Sequence, residues 1–425
     1  MILANITTPL LGLVDTAVLG HLPSVSALAG ASIGALLITQ MYWLCGFLRM
    51  SLTGLSAQTL GQSQTPQYDS QQYFKPLIQG LALAILLSIG LMLLQQPILW
   101  LGSYFSEASE QTAISLDSYF SIRILGAPAA LMNLTLIGWL VGQQRTKAVM
   151  LIQILGNLLN AGLNLIFVLI FDWQVAGVAG ATVVSEYTMM LAGLWFALHG
   201  QKTLYINRAW FYLDQIRQIF SLNTAMFLRN LILQLCLAFI TFQGAQLGAK
   251  TAATNAILMQ FFVLIALGLD GVAYAVEALV GKAKGLGNRG LIWLHTHQGL
   301  FWSSVFAIAY SLFFWLLGSE LLFLLTDKSE LIIHASDYLP LMIAMPVIAH
   351  WCFLFDGVFI GLSNAKAMRN TMLVSATLVF FPVWLLLQEH GNWALWLAFL
   401  AFLGARGVSL AWVFYLNWQK GRVLR

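Results

Sequence analysis

Asp15 lies near the far end of the apolar run Ile6-Thr7-Thr8-Pro9-Leu10-Leu11-Gly12-Leu13-Val14-Asp15-Thr16-Ala17, the first of several stretches in this chain that set an ionisable side chain among apolar ones. Placing a carboxylate at membrane depth costs roughly 2.5 to 3.5 kcal/mol on insertion scales, so its presence asks for a reason. A carboxyl group removed from water takes up a proton more readily than one in solution. That chemistry suits Asp15 to carrying a coupling ion; the plainer alternatives are a hydrogen bond to a neighbouring helix or a wet position near the headgroups. Other ionisable groups lie in apolar runs too: Arg49, Arg123 and Glu186 in the first half, and Arg229, Asp270, Glu277, His350, Asp356 and Arg406 in the second. Asp270 and Glu277 are seven apart, hence on one helix face two turns from each other. Together with Asp356 they offer the oxygens a hard cation needs, or else they line a solvated funnel and form salt bridges.

Neutral polar residues show a second pattern. Gln153, Asn157, Asn160 and Asn164 follow at steps of four, three and four, which stripes one helix face with amides. Such a face looks at protein or a cavity rather than at acyl chains, and it either lines a hydrophilic path or binds helices together. Thr182 adds a hydroxyl at the end of the small-residue opening Gly177-Val178-Ala179-Gly180-Ala181, which itself fits close helix contact. Metal chemistry finds little support. Cys45, Cys236 and Cys352 fall in separate apolar runs and read as packing residues, while His295 and His297 form an alternate-residue pair in a basic loop region and read as solvated. No phosphate-binding glycine loop of the Walker type is present, which disfavours an ATP-driven pump.

The elements that must carry these residues follow from composition. Of 425 residues 60% are hydrophobic and only 8% charged, with a mean hydropathy of +0.81. Soluble domains carry about 25% charged residues, so a soluble globular protein is excluded and a polytopic, all-α membrane protein is implied. Twelve runs approach the roughly 20 apolar residues that span a bilayer: 1–18, 28–60, 75–101, 115–141, 148–171, 178–199, 212–242, 249–280, 290–318, 334–362, 370–388 and 392–418. Pro128 and Pro346 are expected to kink two of them. The first run lacks the basic lead-in of a cleavable signal peptide, and its abrupt start at Met1 suggests residues ahead of it. Fourteen Lys and Arg residues fall in one set of connections, among them Lys75, Arg145, Lys147 and Lys282, against Lys250 and Lys328 in the other. This asymmetry predicts that both termini face the cytoplasm.

The chain also repeats itself. Gly142-Gln-Gln-Arg-Thr-Lys147 matches Gly361-Leu-Ser-Asn-Ala-Lys366 at an offset of 219, and Asp117-Ser-Tyr119 before Pro128 matches Ser336-Asp337-Tyr338 before Pro346. Asp172-Trp173 against Asn392-Trp393, and Gly61 against Gly281, stand 220 apart. Two six-helix halves of like orientation account for these matches. The expected division is an N-lobe over 1–200, a cytoplasmic linker over 201–211 and a C-lobe over 212–425.

Three stretches carry a resemblance to a known family. Pro9-Leu-Leu-Gly-Leu-Val-Asp15-Thr-Ala-Val-Leu-Gly20-His21, Leu269-Asp-Gly-Val-Ala-Tyr-Ala-Val-Glu277 and Phe355-Asp-Gly-Val-Phe-Ile-Gly361 resemble the multidrug and toxic compound extrusion (MATE) family, in particular its DinF-type branch. The resemblance implies two six-helix lobes that alternate between outward-open and inward-open states. It implies a secondary active multidrug efflux antiporter, exporting organic and often cationic compounds in exchange for protons, with Asp15 as the proton-coupling residue. Asn133, Asn160, Asn164 and Thr182 would be its polar partners in the N-lobe cavity. Two departures stand out: archaeal relatives carry an aspartate where Asn164 aligns, and the family's kink proline would fall ahead of Met1, Pro9 being a different position.

Alternatives are a sodium-coupled exporter using Asp270, Glu277 and Asp356, and a lipid-precursor flippase of the wider superfamily. The remaining expectations are that the chain is no enzyme and holds no metal, with no cofactor beyond the coupling proton or sodium. Its partners would be drugs, toxic organic compounds and the lipid bilayer, without nucleic acid. It is expected to act as a monomer in the bacterial cytoplasmic (inner) membrane.

Overall fold

A computed structural model of the chain describes residue 18 and residues 25–105, 109–199 and 206–424. The described residues are overwhelmingly helical, and the chain divides into two compact units, Met1–Gln218 and Ile219–Arg425. In the first lie α1 (Val25–Leu44), α2 (Phe47–Gln62), α3 (Lys75–Leu93), α4 (Gln95–Phe105), α5 (Glu110–Arg123), α6 (Ala127–Gly142), α7 (Thr146–Leu165) and α8 (Gln174–Leu198). Next come α9 (Leu213–Gln246), which opens in the first unit, α10 (Ala249–Gly285), α11 (Arg289–Leu325), α12 (Ser329–Ser336), α13 (Leu339–Gly361), α14 (Ala365–Ser375), α15 (Phe381–Leu387) and α16 (Asn392–Gln419). Among the described residues eleven helical stretches are long and apolar enough to cross a membrane. They correspond to eleven of the twelve expected runs, and the remaining run, 1–18, lies outside the described residues except for residue 18.

Helix ends follow local chemistry. Ser109 caps α5 by accepting from Thr112 N, Asn288 caps α11 by accepting from Leu291 N, and Asn364 caps α14 by accepting from Ala367 N. Pro128 sits in the first turn of α6, directly after a 3-10 turn over Ile124–Gly126, a position where its missing N–H removes no helical bond. Pro346 lies inside α13. The dividing point falls a few residues into α9 because the chain ahead of it is docked on the first unit: Gln79 Nε2 donates to the Trp210 carbonyl at 2.6 Å, and Lys75 Nζ to Gln215 Oε1 at 2.8 Å.

The repeat reappears as packing. In the first unit α6 lies against α2 through Gly138 and Gly142; in the second, α13 lies against α10 through Gly357 and Gly361. A methyl group added at Gly142 would meet the Thr53 carbonyl at 2.6 Å and the Ala57 nitrogen at 2.8 Å, and one at Gly361 would meet the Glu277 carbonyl at 2.7 Å and the Gly281 nitrogen at 2.9 Å. Without a water-driven hydrophobic force between helices in lipid, such close backbone approach is what holds them together. The turns that follow are alike as well, with Gln144 at φ 60° and Ser363 at φ 52°.

These contacts correct one alignment. Thr53 pairs with Glu277 and Ala57 with Gly281, an offset of 224 rather than the 220 that matched Gly61 to Gly281. The four-residue difference is about one helical turn, so the same face is kept while the register moves.

Candidate functional site

A polar column runs through the first unit, built by one or two residues from each of several helices. On α7, Asn164 Nδ2 donates to Asn160 Oδ1 at 3.0 Å, and Asn160 Nδ2 donates to Thr182 Oγ1 of α8 at 3.0 Å. The Thr182 hydroxyl in turn donates to the Val178 carbonyl at 3.1 Å. Asn160, Asn164 and Thr182 are all buried, whereas Gln153 and Asn157 of the same stripe are half-buried. The spacing of four that aligns Asn160 with Asn164 is what lets one amide feed the next.

One turn further along α8, the Glu186 carboxylate receives both arms of the Arg123 guanidinium from α5, each at 3.0 Å. Asn133 of α6 donates to the Glu186 carbonyl at 2.8 Å, and the Arg123 guanidinium lies 5.8 Å from the Tyr42 ring centroid of α1. Gly126 makes room for this pair, since a methyl group there would strike the Glu186 carboxylate. With side-chain exposures of 7% and 16%, the two charges are largely out of water, and the forked geometry offsets much of their desolvation. Neutral amides and hydroxyls beside them can exchange partners with the polar atoms of a solute without stranding a charge.

The second unit is arranged differently. Asp356 on α13 uses a single oxygen, Oδ2, to accept from Arg406 Nη2 of α16 at 2.7 Å and from Arg229 Nη2 of α9. Arg229 also donates through Nη1 to Asn230 Oδ1 at 2.9 Å. A separate buried cluster joins α10 to α16: Asn255 and Asn392 exchange amide bonds at 2.8 Å each, and Trp396 Nε1 donates to Asn255 Oδ1.

Several sequence expectations meet these facts. Asp15 lies outside the described residues; nearby, Val18 is described and packs on a cluster that includes Ala27, Ala31, Tyr119 and Val178. Asn160, Asn164 and Thr182 are brought together, and Asn133 joins the column one turn away through Glu186. Asp270 is half-buried and Glu277 buried on α10, while Asp356 is held by its two arginines. Among the described residues no three His, Cys, Asp or Glu side chains form a group that could hold a metal ion, so the three carboxylates do not make one. His295 and His297 sit on α11 rather than in a loop. Two residues apart on a helix they are turned about 200° from each other, and they bond separately to Gln298 and to the Trp293 carbonyl. Sequence reasoning found Arg123 and Glu186 singly but not as a pair; it missed Asn255, an amide inside an apolar run, and read Asn392 only as a repeat match with Asp172, not as the partner of Asn255.

Membrane-length helices in two units, joined internally by the same glycine packing and threaded by buried polar networks, define a polytopic helical membrane protein with an internal repeat. The MatE family model matches residues 1–166 and 225–385. The DNA damage-inducible protein F of Escherichia coli is 39% identical over 431 residues, spanning 99% of this chain and 91% of that one. The probable multidrug resistance protein NorM of Pseudomonas putida is 25% identical over 345 residues, 77% of this chain and 73% of its own. Among solved structures, an outward-facing multidrug resistance MATE family transporter of the MOP superfamily superposes with a TM-score of 0.87 at 17% identity, covering 99% of this chain and 94% of that one. This chain belongs to the MatE family. Two of the solved structures that it matches are described as transporters, one of the MATE family and one of the MOP superfamily.

Proposed function

We propose that this protein is a multidrug efflux antiporter that exports organic, often cationic, compounds in exchange for protons, with Asp15 carrying the proton. The observation that carries the reading is the neutral hydrogen-bonded ladder of Asn164, Asn160 and Thr182, which gives the first unit polar atoms for a solute in an otherwise apolar interior. Asp15 in its charged form holds a cationic compound; protonation removes the charge, weakens that hold and lets the compound leave on the outer side. A proton crossing 100 mV gains roughly 2.3 kcal/mol, and a pH unit adds about 1.36. Their sum sustains on the order of a few hundredfold gradient of a neutral solute at one-to-one exchange.

The sodium-coupled alternative is less favoured because Asp356 would have to leave two guanidinium groups before it could serve a cation. The excess of Lys and Arg in one set of connections supports a placement in the bacterial inner membrane with both termini cytoplasmic. Efflux of a fluorescent organic cation from reconstituted vesicles tests the reading, with an imposed proton gradient in one arm and a sodium gradient in the other. Wild-type exchange should follow the proton gradient, and Asp15→Asn should fall to background. Undiminished proton-driven exchange by Asp15→Asn would defeat the proposal.

A further inference from the structure

The two ends of the second unit differ in charge. At one end the connections and chain terminus carry Lys284, Arg289, Lys366, Arg369, Lys420 and Arg422, with no acidic residue in 278–297, 361–371 or 407–424; the other end carries Glu320, Asp327, Glu330, Asp337 and Glu389. The basic segments converge in space. Lys284 Nζ donates to the Leu362 carbonyl at 2.8 Å, and Arg289 donates through Nη2 to the Trp418 carbonyl.

Within that end one place is built more closely than the rest. The Arg289 guanidinium lies 4.2 Å from the Trp418 ring centroid, and Trp293 packs against Trp418 at 4.6 Å and Phe414 at 6.2 Å. These contacts hold the arginine over an aromatic floor. Among the described residues Arg289 Nε is buried without a hydrogen-bond partner, and Nη1 lies toward the Gly421 turn. Gly421, at φ +66°, ends α16 abruptly, and Arg422 N returns to the Asn417 carbonyl at 2.9 Å. Val423 is buried, which pins the chain just beyond. Exposed Lys420 and Arg422 therefore flank a fixed turn beside the Arg289 guanidinium. Towards the membrane from these charges, Leu294 and Phe301 on α11 and Trp412 on α16 are 47%, 63% and 61% exposed.

We propose that Arg289, Lys420 and Arg422 seat the phosphate of an anionic phospholipid, whose acyl chains lie along the exposed apolar faces of α11 and α16. Three cations with no acidic side chain in the described segments that carry them suit a phosphodiester. Trp293, Trp412 and Trp418, near the basic end of α11 and α16, are the residue type that prefers the membrane interface. A zwitterionic headgroup would bring its own cation to the same place and lose most of the attraction.

Native mass spectrometry of the full chain tests this, titrating dioleoylphosphatidylglycerol and, separately, dioleoylphosphatidylcholine. The wild type should retain the anionic lipid preferentially. R289Q/R422Q should weaken phosphatidylglycerol binding about thirtyfold, equivalent to ~1 kcal/mol for each charge removed, and leave phosphatidylcholine binding unchanged. Because Arg289 also ties α11 to α16, K420Q/R422Q, which alters only exposed side chains, carries the same test should the first variant not fold; a similar loss is expected. K366Q/R369Q, in the neighbouring connection, should weaken binding by less than about threefold. Equal retention of both lipids by the wild type overturns the proposal, as does an equal loss in K366Q/R369Q, which would mark a diffuse field instead of a seat. Full displacement of the lipid by inorganic phosphate at equal concentration would assign the place to a free anion and also overturn it.

Discussion

The buried charges of the two units are bonded in different proportions. In the first, Arg123 of α5 and Glu186 of α8 bind one to one through two parallel hydrogen bonds; in the second, Arg229 and Arg406 both converge on one oxygen of Asp356. Glu186 and Arg406 stand 220 residues apart, the offset of the repeat in this region, so α8 contributes the anion where α16 contributes a cation. The Arg123–Glu186 and Arg406–Asp356 bridges each tie the helix at those matched positions to the span that ends in the repeated glycine motif, while Arg229 of α9 adds a further bridge in the second unit alone. Attraction between opposite charges is unchanged when the signs are exchanged between helices, so polarity can reverse while the bridge persists. Glycine contact has no such symmetry: a helix pair that needs a missing side chain needs it at that one place. What the two halves share is therefore the packing, and what they vary is the sign and count of the charges that lock it.

The sharpest way to break this comparison is to remove the shared anion of the second unit. D356N leaves two buried guanidinium groups facing each other, and a stability loss at or above the usual 3–5 kcal/mol for breaking a buried pair is expected in thermal unfolding of the purified protein. E186Q strands a single arginine and should lie near the lower end of that range, with R123Q/E186Q recovering part of the loss. Equal melting temperatures for D356N and E186Q would show that the proportion of charges has no consequence.

The glycine correspondence makes a smaller but more exacting demand. G138A and G357A should each cost about 1–3 kcal/mol through forced separation of helices, and the two losses should agree closely, because both methyl groups would meet a backbone carbonyl of the facing helix, Arg49 and Ala273 respectively. A large difference between them would confine the repeat to the loops.

The least effect is expected at the exposed pair Lys250–Glu330, at 2.9 Å. A hydrogen bond from Lys250 and its charge hold the Glu330 carboxyl below the ordinary glutamate range. A depressed carboxyl stabilises the fold above its unfolded-state value and loses that contribution as pH falls through the folded-state value. E330Q should therefore lower the melting temperature slightly at neutral pH and low salt, and the difference should vanish in acid or at high salt.

Much of this could be anticipated from residue order. The amide spacing that placed Asn160 and Asn164 on one face was enough to bring them into a chain with Thr182, because all three lie on two consecutive helices joined by a short turn. The match of Gly142 to Gly361 likewise survives as a packing contact. Gly61 and Gly281 failed because a one-turn shift preserves a helix face while changing its register, and identical residues cannot reveal it. His295 and His297 fall inside the apolar run 290–318, and the helix that begins at Arg289 contains both, so the basic residues just ahead of them mark the helix end and not a loop around them.

Class and the number of spans follow from sums over windows of about twenty residues, since the free energy of placing a segment in a bilayer depends mainly on that segment's own side chains, and the internal duplication follows from short motifs matched at a fixed offset. Partnership between charges depends on something no window contains. Arg123 finds Glu186 across 63 residues and Arg229 finds Asp356 across 127, and only the rotation and depth of each packed helix decide which guanidinium meets which carboxylate. An arginine within an apolar run announces that it needs a partner, but the three-dimensional arrangement of faces chooses it.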